Sequence, residues 1–179
     1  EETLLKECAF LASHGTAKFF LKCVKKYGDA YLCSFSASPE QILSGHWENG
    51  QAKQQYYHTV GCAFDEQWLE ENARNDLRFA KILGVSDETT KEEGREASHY
   101  SPVEIGYSGQ IKEYGEEHFY GEIGEYGHRH LSQLVGLMPG NLISHNTPAW
   151  LDAAKLTLQY RGDFSTGWAL AHRLCSYAR

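Results

Sequence analysis

Several whole classes of protein are excluded by what this sequence has little of. No apolar run approaches the ~20 residues that a membrane-spanning helix needs, so no membrane insertion is expected. Basic clusters are missing as well. No more than two Lys/Arg stand side by side (Lys25-Lys26), and the formal charge is −7 with a pI near 5.7. A polyanion binder needs a basic stripe, so nucleic acid and anionic membrane surfaces are poor partners. The five cysteines (Cys8, Cys23, Cys33, Cys62, Cys175) are odd in number and lack CxxC spacing. Four of them sit inside apolar patterns, and they read as buried free thiols. There is no charged-then-apolar leader, no initiating methionine and no internal repeat. Both ends read as cuts, because Glu1 opens the chain and Arg179 falls inside a helix-like pattern.

What is present suits one aromatic-rich domain. The 179 residues are 41% hydrophobic, 23% charged and 13% aromatic, with no shift in composition to mark a boundary. Residues 3–26 predict a helix with Leu4, Cys8, Leu11, Gly15, Phe19 and Cys23 on its apolar face. Gly28-Asp29 ends it, and Tyr31, Cys33 and Phe35 predict a short extended segment leading to Ser38-Pro39-Glu40. Residues 41–58 read as loop. A second helix is expected over 62–83 on Phe64, Trp68, Leu69, Ala73, Leu77, Ala80 and Leu83, with Gly84 beyond it. Residues 85–126 carry six glycines and no sustained period, and read as a long site-building excursion. Residues 128–138 predict a short helix stopped by Pro139-Gly140. Thr147-Pro148 starts another that runs to Tyr160, and a last one begins near Thr166. The chain is therefore α-rich with long polar connections.

Chemistry needs ionisable groups held by loops on a rigid scaffold. Five places qualify: Glu40 after Pro39, Asp65 at the start of the second helix, Gln110 with Glu113, His128-Arg129-His130, and Arg161-Gly162-Asp163 before Thr166-Gly167-Trp168. Each has a plainer alternative. Glu40 fits a solvated loop, and Asp65 fits a helix N-terminal acid. The two histidines have no nearby carboxylate to complete a metal set, so no metal or other cofactor is expected. Together, aromatics (Tyr31, Trp47, Tyr114, Tyr126, Trp168) interleave with Glu, Asp, His, Asn and Gln, which suits sugar stacking and hydroxyl recognition. A glycosidase also needs an acid with a raised pKa and a second group that activates water.

Five motifs in order resemble glycoside hydrolase family 95 over essentially the whole chain. The family's Ser-Pro-Glu-Asn element is similar to Ser38-Pro39-Glu40-Gln41. Its Thr-x-Gly-x-x-x-Asp-x-Gln resembles Thr59 through Gln67, and its Gln-Ile-Gly-x-x-Gly-Gln-Leu-Gln-Glu-Trp resembles Glu104 through Tyr114. Its His-Arg-His-x-Ser-His-Leu-x-Gly-Leu-x-Pro-Gly resembles His128 through Gly140. Its Thr-Pro-x-x-x-x-Ala-Ala, followed by Arg-Gly-Asp-x-x-Thr-Gly-Trp-Ser-x-Ala-Trp, resembles Thr147 through His172. The chain departs from the family at Tyr114 (Trp), Gln133 (His) and His172 (Trp).

The resemblance implies an all-α fold, an (α/α)6 barrel of which residues 1–179 supply about half the helices, with long loops. It implies inverting hydrolysis of terminal α-L-fucosyl residues on oligosaccharides or glycans, or of α-L-galactosyl residues as in relatives within the family. Glu40 aligns with the general acid. Asp163 aligns with the aspartate that polarises a water-positioning asparagine, and the asparagine pair is expected upstream of Glu1; Asn141 and Asn146 do not match it. His128, His130, Arg161, Trp168, Asp65, Gln110 and Glu113 would line the sugar subsite. Family analogy leans toward a secreted or periplasmic location. Two rivals stand beside this reading. A phosphorylase-like relative would need more of a phosphate nest than Ser44-Gly45-His46, and a degenerate binding module would not need both Glu40 and Asp163. The 179 residues alone are expected to be poorly packed and inactive.

Overall fold

The computed structural model describes residues 1–33, 36, 39, 42, 43, 47–52, 55, 56, 58–115 and 128–179, with the backbone only for 42, 43, 47, 48, 52, 55 and 56. The described chain is predominantly helical, with short antiparallel strand pairs. Helix α1 spans Glu2–Cys23 and gives way to β1 (Val24–Tyr27), which pairs with β2 (Ala30–Cys33) in register Val24↔Cys33 to Tyr27↔Ala30. The first helix therefore ends three residues earlier than its periodicity predicts, because Val24 turns extended at φ −74°, ψ 139°. Gly28-Asp29 is the loop of a hairpin, and Gly28 at φ 61° supplies the positive angle such a tight loop requires.

Residues 41–58 differ from the expected plain loop. Strand β3 (Ile42–Leu43) pairs with β6 (Gln55–Tyr56), and β4 (Trp47–Glu48) nests inside it against β5 (Gln51–Ala52). Asn49 and Gly50 both take positive φ, as a two-residue Asn-Gly hairpin turn demands. Helix α2 (Ala63–Leu83) follows as expected, closed by Gly84 in the left-handed region at φ 69°.

The 85–126 excursion is also more structured than its composition suggests. Helix α3 (Glu88–Glu96) and a 3-10 turn at Ala97–His99 lie inside it. The Asp87 carboxylate accepts the Thr90 N–H at 3.0 Å while Thr90 Oγ1 accepts the Asp87 N–H at 3.0 Å, a reciprocal cap. The helix expected over 128–138 is a single 3-10 turn, Ser132–Leu134, followed by irregular turns. A side chain from α2 takes the bonds a helix would use: Gln67 Nε2 donates to the Gln133 carbonyl at 2.7 Å, and Gln67 Oε1 accepts the Gly136 N–H at 2.7 Å. Helices α4 (Pro148–Arg161) and α5 (Gly167–Tyr177) fall where their start signals put them, although α5 ends two residues short of Arg179. Thr147 does not cap α4 with its side chain; its hydroxyl closes the preceding turn on the carbonyls of Leu142 and Ser144.

Packing corrects two further expectations. The face that α1 buries is Phe10, Ser13, His14 and Ala17, whereas Leu4, Leu11 and Phe19 of its expected apolar stripe are each more than 60% exposed. Polar bonds select that face. Ser13 Oγ donates to Asp76 of α2 at 3.1 Å, and His14 lies between Asp76 (3.0 Å) and Asp87 (2.9 Å). Of the cysteines, all free, only Cys33 and Cys62 are buried; Cys8 and Cys175 are exposed because they sit on uncovered helix faces. One apolar cluster joins α4 to the stretch from Leu131 to Ile143, with Ile111 and Val103. A second joins Val24 and Cys33 of the hairpin to Leu69 of α2.

Candidate functional site

The loops at the start of α2, the end of α4 and the start of α5 converge, and individual bonds hold them there. Ala63, the first residue of α2, donates its N–H to the Glu113 carbonyl at 3.0 Å. The Glu113 carboxylate accepts Nη2 of Arg161, the last residue of α4, at 3.2 Å. Arg173 of α5 donates Nη2 to the His128 carbonyl at 3.4 Å. The His128 and His130 rings stack at 5.1 Å, and His130 tilts onto Trp168 at 5.2 Å. The His130 N–H donates to Nδ1 of His128 at 3.1 Å, which makes that nitrogen an acceptor. Four of the five motifs, distant in sequence, thus meet at one end of the helices.

The electrostatics of the interior are unusual. Glu113 is fully enclosed, and burial pushes its carboxyl up to about 8 although the Arg161 guanidinium pulls the other way. Its Oε2 has no hydrogen-bond partner. Arg173 is buried too, and burial together with neighbouring Arg161 holds its guanidinium below the ordinary range, opposed by Asp163. Of the two buried guanidiniums, Arg161 pairs with the Glu113 carboxyl, whereas Arg173 bonds the His128 carbonyl and feels exposed Asp163 as its nearby anion.

The expected site residues fall into three groups. His130, Asp163 and Trp168 reach the surface, with Trp168 and Asp163 exposed. Glu113, Arg161, His128 and Gln110 are buried, and the Gln110 amide donates to Ser108 Oγ at 3.0 Å rather than to another of these residues. Asp65 lies in the first turn of α2 and accepts the Cys62 thiol at 2.9 Å. Burial, with Asp65 adding to it, pushes that thiol up to about 12, so it remains a donor. Glu40 lies outside the described residues, as do Ser38, Gln41, Ser44, Gly45, His46 and Tyr126, and the side chain of Trp47 is not described. Upstream of Glu40, Ser36 pairs with Thr59 through bonds of 2.9 and 3.0 Å. Asp163 is not the cap of the following helix, since the N-cap of α5 is Thr166. Of the departures from the family pattern, Gln133 is wholly buried with neither amide atom paired, and Tyr114 is buried in the loop after Glu113.

Two residues escaped sequence reasoning. Arg173 stands in an otherwise apolar helix pattern, and a charged residue on a face that must be buried was the signal. Glu66 gave the same signal beside Phe64, Trp68 and Leu69. It is 2% exposed, its Oε1 accepts the Cys33 N–H at 2.6 Å, and burial pushes it up to about 7.

Among the described residues, no group of three or more His, Cys, Asp or Glu is placed to hold a metal ion, and no helix is long and apolar enough to cross a membrane. No curated protein matches the chain. A family model described as the glycosyl hydrolase family 95 catalytic domain matches residues 1–179, the full length of the chain. With residues of four of its motifs gathered at one end of its helices, the chain belongs to glycoside hydrolase family 95, and its chemistry is that of a glycoside hydrolase.

Proposed function

We propose that this module hydrolyses terminal α-L-fucosyl residues of oligosaccharides or glycans with inversion, on an (α/α)6 barrel to which the 179 residues contribute about half the helices. The observation that carries this reading is the convergence of the His128–His130–Trp168 stack, the Glu113–Arg161 pair and rim-placed Asp163 at one end of the helix set. An exposed indole beside an imidazole offers a sugar a flat C–H face and a hydrogen-bonding edge together. The uncovered leucines of α1 are what a helix of a larger ring would present to its next neighbour.

In this reading Glu40 is the acid that protonates the departing glycosidic oxygen. Asp163 polarises an asparagine supplied from outside the 179 residues, and that amide orients the attacking water. An amide oxygen is a poor base alone, so the carboxylate behind it matters. His130 and Trp168 wall the sugar. Arg161, Glu113, His128 and Gln110 hold the wall from behind, and Asp65 holds the loop before α2. α-L-Galactosides differ from fucosides by one hydroxyl, and the same roles apply to them.

The test is a comparison of two variants in the complete enzyme on two substrates. Asp163→Asn is expected to lower kcat equally for an aryl α-L-fucoside and for a fucosylated disaccharide, because every turnover needs the water. Glu40→Gln is expected to cost roughly 10²–10⁴ in rate on the disaccharide, and less on the aryl substrate, whose leaving group needs little protonation. Normal kcat in Asp163→Asn with a lowered Tm removes the catalytic assignment. Proton NMR of the first-formed sugar reports inversion, and a parallel aryl α-L-galactoside reports which sugar is preferred.

A further inference from the structure

Arg173 lies on α5, one residue beyond the last family motif, and none of the roles proposed above uses it. It is 1% exposed. Its Nη2 donates to the His128 carbonyl at 3.4 Å, while neither Nε nor Nη1 has a partner among the described residues. Burial and neighbouring Arg161 both disfavour its charge. A desolvated guanidinium with open donors is destabilising, and a well-packed apolar residue of similar volume is often neutral or better in its place. Proteins break such local rules mainly at functional sites.

What Arg173 holds is the segment His128-Arg129-His130. Within it the His130 N–H donates to Nδ1 of His128 at 3.1 Å and the two rings stack at 5.1 Å, so the position of His128 sets that of His130. The His130 ring in turn meets Trp168 at 5.2 Å, and Trp168 stands in the first turn of the helix that carries Arg173. Helix side chains lean toward the N-terminus of their helix, so Arg173 reaches back along α5 in the direction of Trp168. Helix α5 therefore grips one short segment at two points. The inner point is the enclosed carbonyl of His128, and the outer one is the contact between half-buried His130 and exposed Trp168.

We infer that Arg173 is the positioning residue of the His130–Trp168 wall: it anchors the His128–His130 segment to α5 and so sets the spacing of the two rings against which the terminal sugar packs. Being enclosed, it acts through the wall and touches neither the sugar nor the reacting atoms. The inference rests on the reading of His130 and Trp168 as the sugar wall proposed above. It also explains why an ill-satisfied charge stands where an apolar side chain would pack at least as well.

The experiment uses the complete enzyme with Arg173→Met, Arg173→Lys, Trp168→Ala and the Arg173→Met/Trp168→Ala pair. KM and kcat are measured on an aryl α-L-fucoside and a fucosylated disaccharide, and the Kd of L-fucose by calorimetry. Residues that act through one contact couple by roughly 2- to 150-fold. In Arg173→Met, KM for both substrates and the Kd of L-fucose are expected to rise about tenfold, with kcat changed less than about twofold. The effect is equal on the two substrates because both present the same terminal sugar. Tm should stay level or rise. Arg173→Lys, which keeps a donor, should fall between the two. With Trp168 already removed, Arg173→Met should add little, because the wall it positions is gone. An arginine that only braces the fold gives the opposite pattern, a lower Tm with KM and Kd unchanged, and that result overturns the inference. So does a fall in kcat at constant KM, or a full effect of Arg173→Met in the absence of Trp168. Where Tm and affinity fall together, or Arg173→Met does not fold, the same cycle run with Arg173→Lys decides between the two outcomes. A last readout needs no turnover: the emission of Trp168, taken as the difference from a Trp168→Phe variant, should change in Arg173→Met as the indole loses its imidazole neighbour. Should the unmodified enzyme hydrolyse neither fucosides nor galactosides, the proposed reaction fails by itself. A changed Trp168 emission then still supports the role of Arg173, and an unchanged one overturns it.

Discussion

Glu113 and Arg161 are 48 residues apart in the chain and fully enclosed together, so each is the condition of the other's burial. Removing one partner of a buried ion pair leaves an uncompensated charge, typically a loss of about 3–5 kcal/mol. Here the size depends on pH. Burial sets the Glu113 titration near 8 in the folded chain, far above the ~4.3 of a free glutamate, so the folded state binds the extra proton between those values. Folding is thereby weakened as pH rises from the lower value to the upper one. In Arg161→Met the carboxyl loses the group that favours its charged form, so the window extends to higher pH. The expected outcome is a Tm deficit that is small at pH 6, where Glu113 is neutral, and widens steadily toward pH 9. A deficit that is constant across this range contradicts the assignment of the pair. The conservative Glu113→Gln should flatten the pH dependence while costing less at pH 9 than Arg161→Met.

At the scale of elements, the hydrogen-bonded acids between α1, α2 and α3 make a second prediction. Glu93 is buried, and burial plus its neighbour Asp76 hold it well above the usual carboxylate range, so its contribution to stability also falls as pH rises. Glu93→Gln keeps the volume and a donor toward Asp76 but has no proton to lose. Its Tm is expected to decline less than that of the unmodified chain between pH 5 and 9, and a parallel decline would exclude Glu93 as the source. This cluster also shows where sequence reading stopped. Helices α2 and α4 were legible because their periodicity is bounded by local signals, the left-handed Gly84 and the Thr147-Pro148 start. Helix α3 was not, because Glu88 through Glu96 has no apolar stripe and its buried residues are Thr90 and Glu93. Only the reciprocal cap of Asp87 and Thr90 announced it. The face α1 buries was misread for the same reason, since Ser13 and His14 pack inward on Asp76 while leucines point out. At 128–138 the Gln67 amide, 66 residues from its partner Gln133, overrode local helical preference. The candidate site was legible as motifs, yet its pairings were not, because each joins segments tens of residues apart.

At the scale of the molecule, Leu4, Leu5, Leu11 and Phe19 on α1 and Trp168, Leu170 and Leu174 on α5 stand exposed on long helices. Apolar faces of that extent favour association with other surfaces. Residues 1–179 produced alone are expected to bind a hydrophobic dye and self-associate, without turnover of an aryl α-L-fucoside. A monomeric, dye-silent preparation with a sharp thermal transition and turnover would refute this. The enclosed acids have a consequence of their own. Glu66 titrates near 7 and Glu113 near 8, and Glu93 is raised as well, so near pH 6 the folded chain retains protons that the unfolded chain has released. The folded molecule is then less negative than its formal −7, by up to three charges. In isoelectric focusing it should band above the 5.7 set by composition, and in concentrated urea it should drift back toward that value.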